Sequence, residues 1–248
     1  MSRRLALAAA LLISPALATA AEAPKVTVNG TVDSYFTLNL TNAQDYESPT
    51  SGAGGLYTSA GFNFNYAKVS TVAESGPATL KLDLAYGKEG VAVGNFLVQQ
   101  ALVSMKFGRF TVDAGRFVTP AGFEVFEAKD NWLYSRGLIF NFAVPTAHEG
   151  VRVSTPLTPE FTVSASLANG SDLWNNDTGF SESPYKTLIL GGTYAKESHS
   201  AAVHLFISKD PATTEDALLL DGVYTRTMGP TSFNVSADFG KLGSSNWV

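Results

Sequence analysis

Residues 26–40 read VTVNGTVDSYFTLNL, and their two alternating registers differ in kind. Val26, Val28, Val32, Phe36, Leu38 and Leu40 fall on one face, while Thr27, Asn29, Thr31, Asp33, Thr37 and Asn39 fall on the other. A period of two is a strand with one apolar and one polar side. The apolar side points to a core in a soluble sandwich and to lipid in a membrane barrel, where the polar side lines the lumen. One strand does not separate these two folds.

The rest of the chain does. Residues 78–86, 110–114, 161–168 and 231–239 alternate clearly, and 62–73, 96–107, 151–155, 186–196, 201–208 and 217–226 alternate more weakly, which makes about eleven strands with the first. Short joins at 75–77, 108–109, 156–160, 197–200 and 228–230 take turns with longer ones at 41–59, 87–95, 119–147, 169–185 and 209–216. Short turns on one rim and long loops on the other are the habit of bacterial outer-membrane barrels. The expected fold is therefore all-β, a transmembrane antiparallel up-and-down β-barrel. An odd strand count does not close such a barrel, so 21–248 reads as a barrel lacking C-terminal strands, with the next loop beginning at Asn246.

Composition agrees. Charged residues are 16% of the chain, against about 25% in soluble domains. Met1 to Ala20 has the form of a cleaved signal peptide: Arg3 and Arg4, the apolar run Leu5–Ile13, then Ala18-Thr19-Ala20. That run is far shorter than the ~20 residues a membrane helix needs. The expected location is the outer membrane of a Gram-negative bacterium. A net charge of −5 argues against nucleic acid as a partner. The expected partners are outer-membrane lipid and small hydrophilic solutes, and a homo-oligomer is compatible with the pattern. There is no Cys and there are three His residues, so no metal site or cofactor is expected.

Some residues resist simple alternation. Lys68 falls in register with Phe62, Phe64 and Tyr66, which a bulge near Ala67 would correct by turning Lys68 inward and Val69 outward. Arg116 shares a register with Phe110, Val112 and Ala114 near a strand end, where a lipid-facing Arg can snorkel. Residues 96–107 are apolar in both registers.

The longest stretch without alternation lies in Gly115–Arg152, GRFVTPAGFEVFEAKDNWLYSRGLIFNFAVPTAHEGVR. Long excursions in compact scaffolds are functional or disordered, and this one is too aromatic for disorder. If it folds into the barrel, Glu124, Glu127, Lys129, Asp130 and Arg136 become constriction charges, with Asp113 and Arg152 on the adjoining wall. Phe123, Phe126, Trp132 and Leu133 would then pack on the wall or a subunit interface. His148, His199 and His204 are the candidate bases for catalysis, yet no Ser occupies a Gly-x-Ser-x-Gly turn and the Glu124/Glu127 pair reads as solvated charge. No enzyme is expected and no catalytic residue is assigned. Asp172, Asn175, Asn176 and Asp177 carry calcium-type oxygens without the spacing of a calcium loop.

The same stretch resembles the outer-membrane β-barrel porins of the OmpL-like type, in the run Gly122, Glu124, Asp130, Asn131, Trp132, Ser135, Arg136 followed by Pro145, His148, Gly150 and Arg152. Gly30-Thr31-Val32-Asp33-Ser34-Tyr35, Lys81-Leu82-Asp83, Gln99-Gln100-Ala101, Gly115-Arg116-Phe117 and Asn169-Gly170 extend the likeness, although three residues separate Gly170 from Trp174 where the family tends to place the Trp at once. The resemblance implies an outer-membrane channel with poorly defined solutes, and it carries over no established catalytic residues. The expected function is passive diffusion of small hydrophilic solutes or ions through a lumen lined by Thr, Asn, Ser and Asp. The alternatives are a narrow or plugged barrel that binds partners through its outer loops, and a barrel enzyme, which would need a lumen His within reach of a Ser or a carboxylate.

Overall fold

A computed structural model of the chain describes residues 23–38, 61–87, 96–170, 183–210 and 214–247. The signal-like residues 1–20 and the oxygen-rich set Asp172, Asn175, Asn176 and Asp177 lie outside them. The strands are β1 (Lys25–Thr37), β2 (Gly61–Ser75), β3 (Ala78–Gly87), β4 (Phe96–Phe107), β5 (Phe110–Val118), β6 (Ala147–Pro156), β7 (Phe161–Gly170), β8 (Ser183–Lys196), β9 (His199–Lys209), β10 (Asp216–Met228), β11 (Thr231–Leu242) and β12 (Ser245–Trp247). They form one antiparallel sheet in sequence order, and β1 and β12 are not paired with each other. Among the described residues, no helix is long and apolar enough to cross a membrane.

Eleven strands fall where alternation predicts them, and the twelfth is a correction. Instead of opening a long loop, the chain turns tightly at Gly243, whose φ of +55° suits a residue without Cβ, and Asn246 and Trp247 pair back onto β11. Among the described residues the count is twelve rather than about eleven. His199 is also not a turn residue: it begins β9 and stacks on Tyr194 with ring centroids 5.9 Å apart.

The outward face is apolar along the whole sheet. Val32, Phe62, Leu167, Val203 and Phe233 are all more than half exposed. Exposed aromatics gather near both rims, with Phe107, Phe110, Tyr224 and Phe233 by the short turns and Phe36, Phe62, Phe64 and Tyr86 by the long loops. Two aromatic girdles around an apolar band are the lipid-facing surface of an outer-membrane barrel. The opposite face carries buried polar residues, among them Asn65, Asp83, Asp113, Thr187, His204 and Asp221.

Bulges set the phase of that face. Asp33 pairs with Tyr66 and Ser34 with Phe64, so Asn65 is the extra residue. It shifts β2 by one position, which turns Lys68 inward and leaves Val69 half exposed. The inward turn agrees with the sequence reading; the bulge sits earlier than Ala67. Gln99 is the extra residue of β4, opposite Asp83 and Leu84. That bulge explains why residues 96–107 carry apolar groups in both registers.

Arg116 departs from expectation. It is buried, 6% exposed, and its Nη1 donates to Glu149 Oε1 at 2.6 Å. Gly115, at φ +131°, breaks the alternation between exposed Ala114 and buried Arg116, so no snorkelling to lipid is needed. A lipid-facing Arg would have cost as much as ~2–4 kcal/mol at the membrane midplane.

The interior is not polar throughout. Ile189, Phe206 and Leu219 are in register across β8, β9 and β10, and all three are almost fully buried. Leu188, Leu190, Val203, Ile207 and Leu220 are exposed on the other face of the same strands. Both faces are apolar there, which is why alternation is weak in these segments.

Candidate functional site: a loop across the barrel interior

Residues 119–146 connect β5 to β6 and fold inward, against opposite parts of the sheet. On one side Lys68 Nζ forms an ion pair with Glu127 and lies 3.3 Å from Asp83 Oδ2. Lys68 is seven residues in from the loop end of β2, so the contact is deep. The Tyr134 hydroxyl donates to Asp33 Oδ2 at 3.0 Å, and its ring lies 5.6 Å from that of Tyr35. On the other side the Gly122 amide donates to Asp221 Oδ1 on β10 at 2.8 Å. Ala121 and Val144 pack against Ile189, Phe206, Ala217 and Leu219. Burying an Ile, Leu or Phe side chain is worth about 1.5–3 kcal/mol, so this contact fixes the loop more strongly than a surface ion pair could.

Inside the loop the order comes from side chains that replace backbone partners. Asn131 Oδ1 accepts from the Val125 amide at 2.9 Å, and its Nδ2 donates to the carbonyls of Val125 and Glu127 at 2.7 and 3.2 Å. Arg136 donates to the carbonyls of Val125 at 2.9 Å, Tyr134 at 2.6 Å and Phe126, and its guanidinium lies 5.7 Å from the centre of the Phe140 ring. A planar fork of donors is suited to holding several carbonyls at once. Glu124 Oε2 accepts from the Gly137 amide at 2.8 Å, at the start of the short helix α1 (Leu138–Phe142).

The predicted constriction set thus divides. Asp113 and Arg152 are a wall pair, with Nη2 2.6 Å from Oδ2, and Arg152 also covers the Phe117 ring at 4.8 Å. Glu127 joins the wall through Lys68. Lys129 and Asp130 pair with each other at 2.6 Å and are half exposed. Arg136 is corrected: 5% exposed and occupied by carbonyls, it builds the loop and does not present its charge to a pore.

The other motif residues are mostly structural as well. Gly122 has φ +82°. Pro145 is fully buried. His148 is buried between the rings of Phe117 and Phe206, with Nε2 3.2 Å from Thr119 Oγ1. Gly150 lets β6 and β7 approach, since a Cβ there would lie 2.2 Å from the Leu167 carbonyl oxygen. Ser135 is exposed. Trp132 is 54% exposed and meets Phe123 edge-on at 5.0 Å.

Two cavities flank the loop. One, of about 510 Å³, lies between the loop and the inner faces of β1 to β4, with Asn29, Lys68, Ser70, Lys81, Asp83 and Gln100 on the wall and Glu124, Glu127 and Asp130 on the loop. The other, of about 380 Å³, is lined by Phe123, Trp132, Leu133, Leu138, Ile139 and Phe140, with Glu124 and Ser236 as polar members. Sequence reasoning missed Asp33, Asp83, Gln100, His204 and Asp221 as members of this site. The inward parity of Asp33 and Asp83 was visible, that of Gln100 was hidden by the β4 bulge, and nothing in the sequence said which wall the loop would meet.

His204 Nδ1 lies 3.1 Å from Asp221 Oδ2, so one lumen histidine is within reach of a carboxylate. His204 is 3% exposed, and its partner also holds the loop through Gly122. Among the described residues no cluster of His, Asp or Glu is arranged to hold a metal ion.

A comparison with curated proteins gave no significant match. The family model described as "Putative beta-barrel porin-2, OmpL-like" matches residues 25–246, from the first residue of β1 into β12. With its apolar, aromatic-girdled outer face and polar inner row, the chain belongs to this family of porin-like outer-membrane β-barrels.

Proposed function

We propose that the chain is exported through a cleaved signal peptide and conducts small hydrophilic solutes and ions passively across the outer membrane, with cations preferred. The observation that carries this reading is the polar cavity left open beside the inward loop, where Lys68, Asp83, Gln100 and Glu127 face one another. A loop that crosses a barrel narrows it, and the few charges at the narrowest point select ions by sign. Around the interior Asp33, Asp83, Asp113, Glu124, Glu127, Asp130, Glu149, Asp221 and Asp238 outnumber Lys68, Lys81, Arg116, Lys129, Arg136 and Arg152. The local field, more than total charge, sets the preference. No catalytic step is assigned: the buried His204–Asp221 pair serves the loop's attachment.

The test is the reversal potential of the reconstituted protein under a potassium chloride gradient. A cation-selective potential is expected, and Asp130→Lys, at an exposed residue of the cavity lining, should reduce it. An unchanged potential removes Asp130 from the constriction. A second reading, a plugged barrel with a structural or adhesive role, is favoured by the apolar packing of Ala121 and Val144 on β8 to β10. It predicts no single-channel current.

A further inference from the structure

The apolar cavity beside the loop is unlike the rest of the interior. Its aromatic wall is Trp132 and Phe123, its aliphatic wall is Leu133, Leu138 and Ile139, and its one charged member among the described residues is Glu124. Trp132, Leu133 and Leu138 are each more than half exposed to it or to the surrounding space. Glu124 borders the polar cavity as well, so the two spaces meet at a carboxylate. A volume of about 380 Å³ lies within the ~300–1,000 Å³ typical of small-ligand sites.

From this we infer that the cavity is a binding site for organic cations that carry an aromatic or alkyl group, so that the channel favours such solutes over inorganic cations of the same charge. The inference rests on the channel reading for its transport consequence, though not for the site itself. The chemistry is complementary on both sides. A cation is drawn by the acidic excess of the interior and by Glu124, and the half-exposed ring of Trp132 can attract a positive group through its quadrupole. The apolar part of the solute removes Leu133 and Leu138 from water. An anion would meet Glu124 with no cation among the described lining residues to offset it. A fully hydrophilic solute would leave the aromatic wall unused. Trp132 has its own contact with Phe123, which leaves a purely structural role as the competing account.

The experiment compares benzyltrimethylammonium with tetramethylammonium on the folded protein in detergent, by calorimetry, and in planar bilayers, by their effect on potassium current. Tighter binding of the benzyl cation is expected, by about tenfold. That preference should be lost in Trp132→Ala, largely restored in Trp132→Phe and weakened in Glu124→Gln. Equal binding of the two cations, or a preference that survives Trp132→Ala, overturns the site. A thermal shift in Trp132→Ala with unchanged binding preference would assign the residue to structure and also overturn it. Calorimetric preference without any current keeps the site and rejects the channel. Current without calorimetric preference does the reverse.

Discussion

The amide of Gly122 and the carboxylate of Asp221 are joined by a hydrogen bond of 2.8 Å, although 99 positions separate them in the chain. Gly122 lies on the loop between β5 and β6, and Asp221 faces inward on β10, five residues from the loop end of that strand. With Lys68 and Glu127 on the far side, this bond makes the loop a bridge across the interior.

Asp221→Ala should loosen one end of that bridge. It removes the acceptor of the Gly122 amide and the partner of His204. A buried donor left without its acceptor costs ~1–3 kcal/mol. Urea unfolding in detergent should show a loss of that size, and single-channel recordings should show noisier current.

The Lys68 contacts predict an asymmetry. Lys68 faces both Asp83 and Glu127, so Lys68→Met leaves Glu127 without its cation and Asp83 leaning on Lys81 at 3.8 Å and the Gln100 amide at 2.7 Å, whereas Glu127→Gln leaves the Lys68–Asp83 pair in place. Breaking a buried pair by removing one partner costs ~3–5 kcal/mol. Lys68→Met should approach that range and Glu127→Gln should fall well below it. Equal losses in an unfolding titration would rule out the shared arrangement.

Arg136→Lys should behave as a disruptive change. A lysine cannot hold the carbonyls of Val125, Tyr134 and Phe126 with one planar fork. Losing charged hydrogen bonds of this kind costs ~1.5–3 kcal/mol each. Limited proteolysis should cut the variant within 119–146 faster than the parent.

Much of the fold is legible in the sequence because strand period and loop length are local properties. Residues 26–40 and 231–239 keep one apolar and one polar register, and the family motif marks the loop. The illegible part depends on long-range fit. A bulge in β2 is legible from the misplaced Lys68, though not its position at Asn65, whereas the extra residue Gln99 of β4 leaves no such mark; each reverses the facing of the residues after it in its strand. Arg136 looks like a pore charge among the other charges of its loop, and only its burial against three carbonyls shows otherwise. The apolar inner row of Ile189, Phe206 and Leu219 hides in strands that are apolar on both sides; its meaning emerges only when Ala121 and Val144 land on it.

Close strand approach predicts a contrast between two glycines. A Cβ on Gly150 would meet the Leu167 carbonyl oxygen at 2.2 Å, whereas on Gly30 its nearest neighbour would be the Lys68 carbonyl oxygen at 3.9 Å. Gly150→Ala should impair pairing of β6 with β7 and reduce the folded, heat-modifiable fraction on gels. Gly30→Ala should fold normally.

In the channel reading, residues 119–146 cross and narrow a conducting lumen. The decisive measurement is single-channel conductance of the parent and of a variant in which residues 121–144 are replaced by a short Gly-Ser linker. A finite conductance is expected in the parent and a clearly larger one in the variant, with folding of both verified by heat modifiability. Identical conductances, or no current from either folded protein, would overturn that reading.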